Sequence, residues 1–193
     1  MDLSKDNWNA RYLDNNTGWD IGYPSTPIKE YIDQIKDKNI KILIPGCGNA
    51  HEATYLLKKG FTNLYLVDFS SKAINSFLER NPELPYKNAI CDDFFNLSGK
   101  FDLILEQTFF CALDPKLRAN YSAKSHELLN DGGKLSGLFF YGKLYENHPP
   151  FGGSQLEYEK YFKNSFNIKT FEKCYNSIDK RKGKELFFVF EKK

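Results

Sequence analysis

An excess of charge of one sign is missing from this sequence: 27 Lys and Arg stand against 25 Asp and Glu, for a formal net charge of +2. So small an excess supplies no footprint for a nucleic acid or an anionic membrane. The Lys-rich tracts at Lys36-Asp37-Lys38 and Asp179 to Lys184 read as solvated turns. No apolar run approaches the length of a membrane span, and no signal-peptide pattern is present. The four cysteines, Cys47, Cys91, Cys111 and Cys174, have neither CxxC nor metal-site spacing, and three scattered histidines do not repair that. No metal is expected, and free thiols fit a reducing cytoplasm. Internal repeats, low-complexity tracts and Ser/Gly-rich linkers are also missing, so residues 1–193 are expected to form one domain, with residues 1–26 as an arm.

What is present is an apolar fraction of 41% and an aromatic fraction of 16%, enough for a substantial core. From residue 40 onward, short apolar runs alternate with helical patterns. Strands are expected at Ile40 to Ile44, Leu64 to Val67, Asn88 to Cys91, Phe101 to Leu105, Lys134 to Tyr141, Phe166 to Phe171 and Leu186 to Phe190, the last two antiparallel. Between them fall helices carrying Ala53, Leu56 and Leu57, then Ile74, Phe77 and Leu78, then a helix from Asp114-Pro115 to about Leu129. Asn49 and Glu52 have capping-box spacing, Ser70 can cap the next helix, and Ser154 with Glu157 forms a second box. Asp131-Gly132-Gly133 is placed to end the third helix. The expected fold is α/β: a mostly parallel seven-stranded sheet with helices on both faces and an N-terminal aromatic extension.

Four local features carry chemistry. Gly46-Cys47-Gly48 links the first strand to a helix, where glycines let backbone approach a ligand closely, although any such turn can use two glycines. His51 falls where a dinucleotide fingerprint needs its third glycine, which argues against NAD(P). Asp68 ends the next strand, 20 residues after Gly48, and can accept from ribose hydroxyls or serve the start of the following helix. Asp93 and Phe94, after strand three, suit an adenine edge or a loop anchored on the core. Glu106 and Gln107 are polar residues at the carboxyl end of strand four, where ligands bind in open parallel sheets.

These features occur with further motifs: Trp8-x-x-Arg11-Tyr12, Gly18-Trp19-Asp20-x-Gly22, Pro24-x-x-Pro27, Ile44-Pro45-Gly46-Cys47-Gly48, Asp93-Phe94-Phe95, Phe109-Phe110-Cys111-Ala112 and Pro149-Pro150-Phe151. Together they resemble the thiopurine S-methyltransferase-like family, in its thiol and halide methyltransferase branch. The resemblance implies a Rossmann-like class I methyltransferase using S-adenosyl-L-methionine. It assigns to the cofactor Trp8, Tyr12, Trp19, Gly46, Gly48 and Asp68; Asp93, Phe94, Glu106 and Gln107 join the expected cofactor side from their own places after strands three and four. Tyr12 stands where many members have Trp, and Gln107 where the plant halide enzymes tend to have Tyr. Arg118 and Arg181 align with arginines near the acceptor, and Phe151 joins them on that side.

Aromatic rings stabilise a fixed cation such as a sulfonium by about 0.5–2 kcal/mol each when water is excluded, which suits Trp8, Tyr12 and Trp19. The same rings could instead pin the arm to the sheet. A small soft nucleophile, a thiol, halide or related sulfur, selenium or tellurium species, needs little base assistance, so no triad is expected; Asp20 and His148 are the candidate proton acceptors. The other readings are a nucleoside-binding module without activity and an NAD-dependent oxidoreductase. A small-molecule acceptor is expected as the only partner of a cytoplasmic monomer or weak homodimer, with no nucleic acid and no membrane.

Overall fold

A computed structural model describes residues 2–193. Its sheet has the order β3-β2-β1-β4-β5-β7-β6, built from β1 (Ile42–Pro45), β2 (Leu64–Asp68), β3 (Ala89–Cys91), β4 (Phe101–Gln107), β5 (Leu129–Phe140), β6 (Phe166–Lys173) and β7 (Glu185–Lys192). The first five strands are parallel, and β7 runs antiparallel to both β5 and β6. The expected sheet is therefore the one observed. Ile42, Leu43, Ile44 and Pro45 of β1 are all buried, as a central strand covered on both faces requires.

Alternation along the strands feeds two cores. On one face, Leu43, Ile104 and Leu135 pack with Tyr121 and Leu128 of α5 (Arg118–Leu128) and with Tyr158 and Phe162 of α6 (Gln155–Phe162). On the other, Ile42, Ile44, Leu103 and Leu105 meet Ile28 and Ile32 of α2 (Thr26–Gln34), Ala53 and Leu56 of α3 (His51–Lys58), and Ile74 and Phe77 of α4 (Ser71–Arg80). The preceding α1 (Lys5–Leu13) lies against α4. Helices thus cover both faces, and the strand order reverses between β1 and β4. In such sheets the crevice beyond the carboxyl ends of those two strands is the place for a ligand.

Two local expectations fail for tertiary reasons. α3 starts without the Asn49–Glu52 box: Ala50 holds the N-cap position at φ 52°, the Asn49 amide turns to Asp20, and Glu52 accepts from the Ser25 backbone N–H at 3.1 Å. Asp131-Gly132-Gly133 does not stop a helix. The helix gives way at Leu129, β5 begins there, and the triplet is an irregularity where pairing with β4 jumps from Phe101↔Leu129 to Leu103↔Lys134. By contrast, Ser70 caps α4 through the Ala73 N–H at 3.1 Å and Ser154 caps α6 through the Glu157 N–H at 3.1 Å. Among the described residues no helix is long and apolar enough to cross a membrane.

Candidate functional site

The turn after β1 is shaped by left-handed backbone. Gly46 has φ 55° and Gly48 φ 53°, a region open to glycine and costly for residues with a Cβ. A Cβ on Gly46 would run into the Phe109 ring, and one on Gly48 into the Tyr12 hydroxyl. The Gly48 N–H donates to Asp68 Oδ2 and the Ser70 N–H to Asp68 Oδ1, each at 2.8 Å. Asp68 thus stands at the end of β2 facing the glycine turn, 9% exposed. Burial raises its carboxyl pKa, and the backbone N–H groups of Ser70, Gly48 and Phe69 oppose that rise.

The N-terminal arm folds onto this turn. Trp19 packs edge-on to both Trp8 (centroids 5.4 Å apart) and Tyr12 (5.8 Å), and the Arg11 guanidinium lies 4.4 Å above the Trp19 ring. Polar ties hold the arm at both ends. Asn9 Oδ1 accepts from the Ser70 hydroxyl at 3.0 Å and from the Lys72 N–H at 3.2 Å, at the start of α4. Asp20 pairs with His51 Nε2 at 2.7 Å and with the Asn49 amide, while Arg181 Nη2 donates to the Trp19 carbonyl at 2.8 Å. The hydrogen bond to His51 holds the Asp20 carboxyl below its usual range, and the same bond raises the His51 pKa.

At the end of β4 the two polar residues diverge. Gln107 Oε1 accepts from the Ser25 hydroxyl at 2.8 Å, and its Nε2 is buried with no partner. Ser25 is the N-cap residue of α2 but makes no side-chain cap, because its hydroxyl is spent on Gln107. Glu106 does not face the crevice as expected. It is fully buried and accepts from the N–H groups of Phe109 (2.8 Å) and Phe110 (3.1 Å) and from the Tyr121 hydroxyl (3.0 Å). Burial pushes its carboxyl up to about 7. Those bonds fold the chain back through Thr108 at φ 62°, a strained value for a β-branched residue, and set the Phe109 ring beside Gly46.

Other expected residues are placed as follows. Asp93 Oδ1 accepts from the Phe95 N–H at 2.9 Å, and Phe94 is a buried core residue touching Phe95, Phe109 and Tyr121. Arg181 is 8% exposed; its Nη1 has no hydrogen-bond partner and lies 3.6 Å from Glu185. Arg118 is 2% exposed and bonded to Glu157 and the Gly152 carbonyl, so it offers no free guanidinium to a ligand. Phe151 is buried and its N–H donates to the Cys111 carbonyl at 2.7 Å. His148 is exposed, its ring tilted against that of Tyr145 with centroids 4.0 Å apart, and bonded to the Pro149 carbonyl, within its own loop. Sequence reasoning missed His51, Ser25 and Tyr121 as supports of the site; the only signal for His51 was its place just after the glycine turn.

Comparison with known proteins gives the family and the fold. The family model for thiopurine S-methyltransferase (TPMT) matches residues 3–192. "Probable thiol methyltransferase 2" of Arabidopsis thaliana is 30% identical over 81% of this chain and 71% of its own length. "Thiocyanate methyltransferase 1" of Brassica oleracea is 28% identical over 92% of this chain and 81% of its own. Among solved structures, a 1,6-didemethyltoxoflavin-N1-methyltransferase of Burkholderia thailandensis has the same fold, with TM-score 0.77 at 17% identity over 98% of this chain and 87% of that one. A TehB-like SAM-dependent methyltransferase of Corynebacterium glutamicum does too, with TM-score 0.69 at 19% identity over 98% of each chain.

Proposed function

Because the chain belongs to the thiopurine S-methyltransferase family, and so is an S-adenosylmethionine-dependent methyltransferase, we propose that it methylates a small thiol or thiol-like anion at the arm-covered end of β1, β2 and β4. The observation that carries this is the aromatic arm closed on the Gly46–Gly48 turn and Asp68, with Arg11 already seated on Trp19.

The residues present fit the cofactor. The two left-handed glycines bring bare backbone against the Phe109 ring and the Tyr12 hydroxyl with no side chain of their own in a ligand's way, the Asp68 carboxylate has acceptor capacity beyond its backbone donors, and the Trp19 face accepts a cation. In this reading Gly46 and Gly48 admit the nucleoside, Asp68 accepts from its ribose hydroxyls, and Asp93 lies toward the base, over the floor formed by Phe94. Trp8, Tyr12 and Trp19 cover the sulfonium. The buried Gln107 Nε2 supplies a hydrogen-bond donor, and Glu106 acts by holding the Phe109–Phe110 turn. Residues 1–26 serve as the lid of a single domain. When bound, the cofactor supplies an electrophilic methyl group on a sulfonium, which departs as a neutral thioether.

The acceptor provides the electron pair of the new bond, and a thiol gives up its proton to solvent before attack. Arg181 stands ready to help there. A guanidinium favours a nearby thiolate over the thiol, and its Nη1 makes no hydrogen bond, the Glu185 carboxylate standing 3.6 Å away. With Phe151 it lines the acceptor side. Asp20 is committed to His51 and Asn49, so its role is to fasten the lid rather than to take a proton. The test is an acceptor panel with labelled cofactor: thiols, halides, thiopurines, selenium and tellurium oxyanions, and small amines. Transfer to thiols or their anionic analogues is expected; transfer confined to amines would overturn the reading.

A further inference from the structure

We propose that Arg118 is a positioning residue: it fixes the acceptor-side loop, residues 142–153, against the turn after β4 by holding the Gly152 carbonyl. The inference rests on the assignment above of Phe151 to the acceptor side. Nη2 of Arg118 donates to the Gly152 carbonyl at 2.9 Å and Nη1 to Glu157 Oε1 at 2.8 Å. Its guanidinium carbon is 5.2 Å from the ring centres of both Phe110 and Tyr158. One side chain therefore joins the turn after β4, the loop and α6.

The loop is seated at several points around this fork. The Phe151 N–H donates to the Cys111 carbonyl at 2.7 Å, the Gly142 N–H to the Gly153 carbonyl at 2.7 Å, and the Tyr158 hydroxyl to the Phe140 carbonyl at 2.8 Å. No slack remains at Gly152 and Gly153. A Cβ on Gly152 would overlap the Gly142 carbonyl, and one on Gly153 would come within 2.6 Å of the Tyr158 ring. Phe109, Phe110 and Cys111 share one short turn, so the peptide that sets a ring beside Gly46 also receives the loop that carries Phe151.

A filler would not be built this way. Burying a guanidinium carries a desolvation cost that an apolar side chain of similar volume avoids. The Arg118 Nε–H is moreover buried without a partner, so the network is not optimised for stability. What only Arg supplies is a planar fork that holds two acceptors at a fixed angle. Arg118 acts on the acceptor through the loop, which explains why an arginine expected to face the acceptor is 2% exposed.

The test compares Arg118→Lys, which keeps the charge and loses the fork, with Glu157→Gln, which keeps an acceptor for Nη1. S-adenosylhomocysteine affinity is read by calorimetry, methyl transfer to thiophenol by steady-state kinetics, and loop order by hydrogen exchange at the Phe151 and Gly142 amides. For Arg118→Lys, cofactor-product affinity is expected to hold while thiophenol kcat/KM falls about 100-fold, the scale of an ångström-level misplacement. Both amides are expected to exchange about tenfold faster or more. Glu157→Gln is expected to behave as wild type. Wild-type kinetics and exchange in Arg118→Lys would overturn the proposal, as would equal losses in S-adenosylhomocysteine affinity and kcat/KM. A Glu157→Gln variant that reproduced the full loss would transfer the role from the Gly152 carbonyl to the ion pair. If the wild-type chain methylates no thiol, the functional reading fails on its own, and the exchange data still decide the role of Arg118.

Discussion

Glu106 offers the most quantitative test of the architecture, because its carboxyl is fully buried beneath the turn that shapes the site. Its pKa moves from an ordinary 4.5 to about 7, with burial as the main cause and the N–H groups of Phe110 and Phe109 and the Tyr121 hydroxyl opposing it. A pKa raised on folding means the native state holds a proton that the unfolded chain releases. The associated stability is therefore complete below pH 4.5 and is lost as pH rises through about 7. The two values differ by 7 − 4.5 = 2.5, which corresponds to about 3 kcal/mol. Glu106→Gln removes the titration while keeping an oxygen for the Phe109 and Phe110 N–H groups. Urea denaturation of both proteins between pH 4.5 and 8 is the assay. Whatever the starting gap between them, it should shift by about 3 kcal/mol in favour of Glu106→Gln across that window. Parallel stability curves would refute the reasoning and mean that the native carboxyl ionises as freely as in the unfolded chain.

Other outcomes follow from the same geometry. Asp68→Ala should weaken S-adenosylhomocysteine binding about 100-fold in calorimetry, since hydrogen bonds to a charged group contribute about 1.5–3 kcal/mol each; unchanged affinity in a folded variant would place the nucleoside elsewhere. Hydrogen exchange across Trp8 to Trp19 should slow on adding S-adenosylhomocysteine, and equal exchange in both states would make the arm a permanent strap. His51 is raised by Asp20, so the pair's stabilisation is present below pH 6.5 and fades as pH rises through the folded-state pKa. Arm protection should fall on that alkaline side and lose its pH dependence in His51→Ala. Arg181→Ala should lower acceptor kcat/KM about tenfold or more, with a smaller loss of cofactor affinity because its Nη2 also ties the Trp19 carbonyl; wild-type acceptor kinetics would leave Arg181 as a tie for Trp19 alone.

Legibility in the sequence followed the range of the forces involved. The sheet could be read because strands such as β1 are continuous apolar runs, and the Gly46–Gly48 turn with Asp68 could be read because the strand ends are close in sequence. The capping of α3 could not. Asn49 and Glu52 are claimed by Asp20 and Ser25, which arrive from the arm, and no local pattern reports that competition. Arg118 was identified as important and given the wrong orientation: whether an arginine at a helix start points outward or inward depended on Phe110, Gly152 and Tyr158 meeting around it. Glu106 stood at a strand end where acids often meet ligands. A glycine at position 137, on the neighbouring strand, leaves room for its backbone and Cβ, so it folds inward instead.

The position of β7 has a consequence for how the molecule is made. This strand follows β6 in the chain yet lies between β5 and β6, paired from Lys134 to Phe140 on one side and from Phe166 to Lys173 on the other. A growing chain that has emerged only as far as Lys184 can hold the parallel half of the sheet, but β5 has an open edge and β6 has no strand to join. During synthesis these unpaired backbones are the segments most exposed to wrong pairing with a neighbouring chain. Arrival of Glu185 to Lys192 fills the gap from both sides at once and brings Arg181, just upstream, to the Trp19 carbonyl. Chaperone dependence in the cell should therefore concentrate on the interval before residues 185–192 emerge, and ribosome-bound chains tethered through an unstructured linker that places Lys184 just outside the ribosome should be protease-sensitive at β6 while β1 to β4 resist.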